Sequence, residues 1–117
     1  MKNKNFIEAV KHAIDGVITG VKTQVNLRRQ LIIAVIVIII CIFLKLTYVE
    51  FMILAISISL VIATELINTA IEFCVDLCTM KYHEKAKAAK DVAAGAVLIA
   101  SLNAIIIAAF LILSKIN

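Results

Sequence analysis

The sequence has no proline, no tryptophan and only three glycines, although 63% of its 117 residues are hydrophobic. No internal repeat or low-complexity linker divides it, and at this length it is one domain, too short for two soluble cores. Cysteine is scarce: Cys41, Cys74 and Cys78 are odd in number, which argues against a disulfide framework. Cys74 and Cys78 lie one helical turn apart and have the spacing to share a metal with His83. Small cysteines in apolar surroundings usually pack instead, and they are expected to be buried. No Gly-x-x-x-x-Gly-Lys occurs anywhere and Gly95 stands alone, so an ordinary nucleotide-binding loop is excluded. No small-residue cleavage site follows the first apolar run, which therefore does not read as a removable signal peptide.

The long apolar runs are the dominant feature. Leu31 to Leu44 has no polar group but Cys41, and Phe51 to Ala63 has only Ser57 and Ser59. Val92 to Leu113 is broken only by Ser101, Asn103 and small residues. With their flanks these runs reach about 20 residues, the length that crosses a bilayer's hydrocarbon layer. A soluble domain of this size could not cover so much apolar surface. The expected fold is all-α and membrane-integral, one domain over 1–117. It has an amphipathic surface helix over about 5–27 and spans over about 30–47, 50–78 and 92–114.

Charge predicts the topology. Lys2, Lys4, Lys11, Lys22, Arg28 and Arg29 precede the first span, and Lys81, Lys85, Lys87 and Lys90 fall in an expected basic loop, Lys81 to Lys90, between the second and third. Only Lys45 and Lys115 fall on the other side, so the positive-inside rule puts the N-terminus in the cytoplasm and the C-terminus outside. These flanks account for the net charge of +4, which gives no reason to invoke nucleic acid. In the first segment Phe6, Val10, Ile14, Val17, Ile18, Val21 and Val25 recur at helical spacing. Glu8, Lys11, Asp15 and Lys22 take the other positions, as in a helix resting at the headgroup boundary. Gly16 and Gly20 in its middle are read as points of close helix packing rather than as a phosphate loop.

The second span carries the chemistry. Glu65, Asn68, Glu72 and Asp76 are spaced by three, four and four, which places them within an arc of about 80° on one helix face. The apolar residues Leu66, Ile67, Ala70, Ile71, Phe73 and Val75 take most of the remaining positions. With Glu50 at the outer surface, Glu65 is about 22 Å along the axis, Glu72 about 33 Å and Asp76 about 39 Å. The stripe thus begins inside the membrane and emerges at the inner face. A charged group at the bilayer centre costs ~2.5–3.5 kcal/mol on insertion scales, which marks such residues as functional. A solvated helix end would account for Asp76 but not for Glu65. A structural ion pair with a neighbouring Lys or Arg is the other plain alternative.

Carboxylates at the inner interface beside a lysine cluster suit phosphoryl transfer to a lipid hydroxyl. That reaction needs a divalent cation on oxygen ligands, cationic groups for phosphates and a proton acceptor. Glu72, with help from Asp76, is placed to hold the cation, Lys90 to meet phosphate, and Glu65 to act as the base.

These residues carry a resemblance. Glu65-Leu-Ile-Asn68-Thr69-Ala70-Ile71-Glu72, Asp76, His83 and Ala89-Lys90-Asp91-Val-Ala-Ala-Gly95-Ala96-Val97 resemble the prokaryotic diacylglycerol kinase family, whose Gram-positive members are undecaprenol kinases. The likeness covers nearly the whole chain, including Ala13, Gly16 and Asn26. It implies a bacterial inner-membrane homotrimer with composite active sites at the subunit interfaces. ATP and Mg2+ would enter from the cytoplasm and a lipid alcohol from the bilayer. By matched position Glu65 resembles the proton acceptor and Glu72 a metal ligand, with Asn68 and Asp76 supporting the site. His12, Lys81, Tyr82, His83, Lys90 and Asp91 would meet the nucleotide. Gln24 stands where the family usually has a glutamate as the other metal ligand, and its amide oxygen would coordinate magnesium without that charge. The resemblance implies phosphorylation of undecaprenol ahead of diacylglycerol. A non-catalytic family member is the rival reading, supported only by Gln24.

Overall fold

The structure, a computed structural model, describes residues 5–116; the expectations for Lys2 and Lys4 lie outside them. Four helices follow one another: α1 (Phe6–Thr23), α2 (Val25–Phe43), α3 (Tyr48–Cys78) and α4 (Glu84–Ile116). No strand occurs among the described residues. α2, α3 and α4 are each long and apolar enough to cross a membrane, which makes this an all-helical membrane protein.

The boundaries follow from local chemistry. Asn5 opens α1 by accepting the Glu8 N–H at its side-chain oxygen, at 2.9 Å. α1 stops at Thr23, short of the 27 expected, because Gln24 adopts an extended backbone (φ −114°, ψ 110°). Arg28 then reaches back, donating from one guanidinium nitrogen to the carbonyls of Val21 at 2.7 Å and Lys22 at 3.0 Å. Those carbonyls would otherwise be unsatisfied at the helix end. Val25, assigned to the amphipathic stripe, therefore belongs to α2. Between α2 and α3 the chain turns through Lys45, which takes a left-handed φ of 57°. Thr47 and Glu50 then form a reciprocal capping box that starts α3.

The stretch from Lys81 to Lys90, expected to be a basic loop, is instead helical from Glu84 onward. α4 begins at Glu84, because Glu84-Lys-Ala-Lys-Ala-Ala-Lys consists of strong helix formers. His83 caps it: its Nδ1 accepts the Lys85 N–H at 3.1 Å and its carbonyl accepts the Lys87 N–H at 2.9 Å.

α3 and α4 form the most extensive helix pair and run antiparallel. Ion pairs join them at both ends, Lys115 to Glu50 at 2.9 Å and Lys90 to Asp76 at 2.8 Å. The core is thin: Leu27, Cys41, Leu54, Ser57 and Ala100 are almost fully buried. Large residues such as Ile36, Ile56, Ile99 and Phe110 face outward, as a lipid-facing or subunit-facing surface does. Only one of the two α1 glycines makes the expected close contact. A Cβ on Gly20 would sit 2.7 Å from Leu66 Cδ2 and 3.1 Å from Leu27 Cδ2, whereas one on Gly16 meets nothing within 4 Å. Gly20 is thus where α1 settles on α2 and α3.

Candidate functional site

The polar stripe of α3 forms two linked groups. In the first, Glu65 is only 2% exposed, and each of its carboxylate oxygens accepts one amide hydrogen bond. Gln30 Nε2 of α2 donates to Oε1 at 3.0 Å, and Asn68 Nδ2 donates to Oε2 at 3.1 Å. The same Asn68 nitrogen donates to Glu72 Oε1 at 3.1 Å, so one buried amide bridges two carboxylates one helical turn apart on either side. The helical spacing of three and four makes this possible, since residues so placed stack on one face. Thr69 closes the group from behind by donating to the Glu65 carbonyl at 2.9 Å. Two buried oxygens, Gln30 Oε1 and Asn68 Oδ1, have no hydrogen-bond partner.

The second group lies one to two turns further along. Asp76, Lys81, Tyr82, His83, Lys90 and Asp91 line a pocket of about 270 Å³ between the end of α3 and the start of α4. Lys87 lines it too and pairs with Asp91 at 2.6 Å, while Lys90 pairs with Asp76. The amino-terminal end of α4 adds free N–H groups and a positive dipole end. Three lysines, two carboxylates and a helix start around one open pocket are suited to a polyphosphate. Both ion pairs are exposed to solvent and weak, so either lysine is readily released to another anion.

Six of the residues singled out from sequence thus share the pocket, and Glu65, Asn68 and Glu72 are joined by hydrogen bonds. His12 is exposed on α1 and Gln24 lies at the α1–α2 break; neither lines the pocket. The Gln24 amide donates to Thr23 Oγ1 at 3.3 Å. Cys74 and Cys78 are exposed, contrary to the expectation of buried packing: they lie near the end of α3, where only the start of α4 comes alongside them among the described residues and leaves an open pocket. They line a shallow surface pocket with His83, yet no metal-holding group of three His, Cys, Asp or Glu side chains occurs among the described residues. Two residues escaped the sequence reading. Lys87 was visible only as part of a basic run. Gln30 was detectable as the last polar residue before the first apolar run, but nothing local tied it to Glu65.

Above the first group, an apolar crevice of about 180 Å³ runs between α2, α3 and α4. Val37, Leu54 and Ala104 are among its walls, and Gln30 and Ser101 are its polar lining. An apolar slot, a buried carboxylate and a cationic pocket therefore follow one another along α3.

Comparison with known proteins gives consistent relatives. Residues 11–112 match the prokaryotic diacylglycerol kinase family. Over 110 residues the chain is 38% identical to the undecaprenol kinase of Bacillus subtilis, covering 94% of this chain and 89% of the relative. It is 41% identical to a diacylglycerol kinase of Synechocystis, covering 93% of this chain but 63% of that longer protein. A diacylglycerol kinase of Haemophilus influenzae is 32% identical over 96 residues, covering 82% of this chain and 81% of the relative.

Proposed function

We propose that this chain, which belongs to the prokaryotic diacylglycerol kinase family and is a membrane lipid kinase, phosphorylates undecaprenol. As a kinase of lipids it takes ATP and a membrane lipid as its substrates. The observation that carries the reading of the site is the Glu65–Asn68–Glu72 chain, which starts at Gln30 of the apolar crevice and runs along α3 in the direction of the lysine-lined pocket.

Glu65 accepts the proton of the lipid hydroxyl as the hydroxyl oxygen attacks the γ-phosphorus; the bond from that phosphorus to the β,γ-bridging oxygen breaks and ADP leaves. Asn68 and Gln30 hold its two oxygens in place by amide N–H groups. Lys90, released from Asp76, and Lys87, released from Asp91, turn toward the phosphate oxygens, with Lys81, Tyr82 and His83 completing the pocket wall. Asp76 and Asp91 then act as the resting partners that keep those lysines oriented.

Magnesium fits the donor chemistry. Glu72 is a half-buried carboxylate at the junction of the two groups, and Asn68 Oδ1 is a hard oxygen without a partner. When bound there, the cation offsets charge on the transferring phosphoryl group. Glu72 is the principal ligand in this reading, and Gln24 supplies a neutral amide oxygen. Assembly into a homotrimer with interfacial sites, as the family likeness implies, would bring further donors to that cation. His12 on the surface helix is read as a nucleotide contact within that assembly. Arg28, Arg29 and the lysines from Lys81 to Lys90 gather at the end shared by the start of α2, the end of α3 and the start of α4. This concentration supports a cytoplasmic N-terminus and a cytoplasmic active site in the bacterial inner membrane.

The undecaprenol preference rests on the Bacillus subtilis relative, which matches this chain over nearly its whole length. Diacylglycerol is the second reading, supported by the identity to the Synechocystis protein. The purified protein in mixed micelles, given labelled ATP, magnesium and both lipids side by side, decides between them. Labelling mainly of undecaprenol is expected, and labelling mainly of diacylglycerol would overturn the preference.

A further inference from the structure

Gln30 is the point where the apolar crevice meets the buried carboxylate. It comes from α2, whereas Glu65, Asn68 and Glu72 all come from α3. Its stem packs into the crevice wall, and its Nε2 donates to Glu65 Oε1 at 3.0 Å. Its own Oε1 is buried with no partner. A buried polar atom without a partner carries a free-energy cost that packing alone has no reason to retain. An apolar residue of the same length would fill the crevice wall without that cost. Asn68 fixes Glu65 Oε2 from within α3, but a single donor leaves the carboxylate free to turn about its terminal bond. The second donor, on the opposite oxygen and from a different helix, removes that freedom.

We propose that Gln30 is a positioning residue for Glu65. Its N–H locks the carboxylate plane so that the unoccupied lone pairs face an acceptor hydroxyl arriving along the crevice. The inference rests on the reading of Glu65 as proton acceptor. It also predicts a coupling between helices: any shift of α2 relative to α3 at this level misaligns the base without touching the nucleotide pocket.

The geometry sets the expected kinetic signature. Gln30→Met keeps length and apolar packing while deleting the donor, so kcat should fall about tenfold, the loss typical of a misplaced reacting group, with the KM for ATP within twofold of wild type. Gln30→Glu sets a second carboxylate against Glu65 in place of the donor, so kcat should fall further than in Gln30→Met, again with little change in the KM for ATP. A purely structural role would lower thermal stability in step with activity and would not rank the two variants in this order.

The experiment is steady-state lipid phosphorylation by full-length wild type, Gln30→Met, Gln30→Glu and Glu65→Gln in mixed micelles, with ATP varied and each protein checked by thermal melting. Ranked falls in kcat with an unchanged ATP KM and wild-type melting support the inference. If Glu65→Gln is inactive but the Gln30 variants keep the wild-type kcat, only the role of Gln30 is overturned. If Glu65→Gln is active, the base reading fails and this inference fails with it. A Gln30→Met variant whose ATP KM rises along with the loss of kcat, or whose melting falls in step with its activity, would also overturn it.

Discussion

Replacing Asn68 by leucine should separate the two carboxylates that its amide joins. Asn68 is 8% exposed, and its Nδ2 lies 3.1 Å from both Glu65 Oε2 and Glu72 Oε1. Hydrogen bonds to charged groups are each worth ~1.5–3 kcal/mol, and with no water to replace the donor the loss at this site falls within that range for each carboxylate. Taking the lower part of the range and allowing for non-additivity, about 3–4 kcal/mol of site organisation disappears. If it is all expressed in the transition state, kcat/KM falls by about 10²–10³-fold. Insertion should not suffer, because leucine is cheaper than an amide in the bilayer. The loss should therefore appear in phosphate transfer to lipid, measured with labelled ATP in mixed micelles, while the melting temperature stays near wild type. A second signature is expected in the metal titration. Without the amide between them, the two carboxylates repel more strongly, so half-maximal rate needs a different magnesium concentration. An Asn68→Leu protein within twofold of wild-type activity, with the same magnesium requirement, would refute the bridging role.

Other perturbations test different parts of the account. Gly20→Val should lower both thermal stability and activity, since its Cβ would approach Leu66, the neighbour of Glu65, at 2.7 Å; Gly16→Ala should instead stabilise by up to about 1 kcal/mol, read by thermal melting. Lys90→Met should raise the KM for ATP by about tenfold through the lost phosphate contact. Lys115→Met breaks only the distant pair with Glu50 and should leave the ATP KM unchanged, as steady-state kinetics will show. Gln24→Glu should lower the magnesium concentration needed for half-maximal rate; an unchanged titration would remove Gln24 from the metal site.

Much of this organisation is legible in the amino-acid pattern. The apolar runs around Ile36, Ile56 and Ile106 name the spanning helices, because only a bilayer tolerates such continuous exposure. The spacing of Glu65, Asn68 and Glu72 already implies one helix face, and the structure adds that a single amide joins all three. The break at Gln24 was not legible: nothing in Thr-Gln-Val signals it, and it depends on Arg28 folding back seven residues. The helical start at Glu84 was obscured by reading Lys81 to Lys90 for charge rather than for helix propensity. Gln30 was hidden for a different reason. Its partner is 35 residues away on another helix, a distance that local periodicity does not span. The exposure of Cys74 and Cys78 likewise depends on which helices reach the end of α3, a tertiary property.

The central claim is that Glu65 takes the proton from a lipid hydroxyl beside a cationic nucleotide pocket. Its most direct test is single-turnover transfer of labelled γ-phosphate from ATP to undecaprenol by wild type and Glu65→Gln at saturating magnesium. The account predicts that Glu65→Gln, isosteric and still inserted, binds ATP normally but transfers phosphate at least about 10²-fold more slowly, the lower bound for losing a positioned general base. Transfer within a few-fold of wild type would contradict it and leave the buried carboxylate without a role in the reaction.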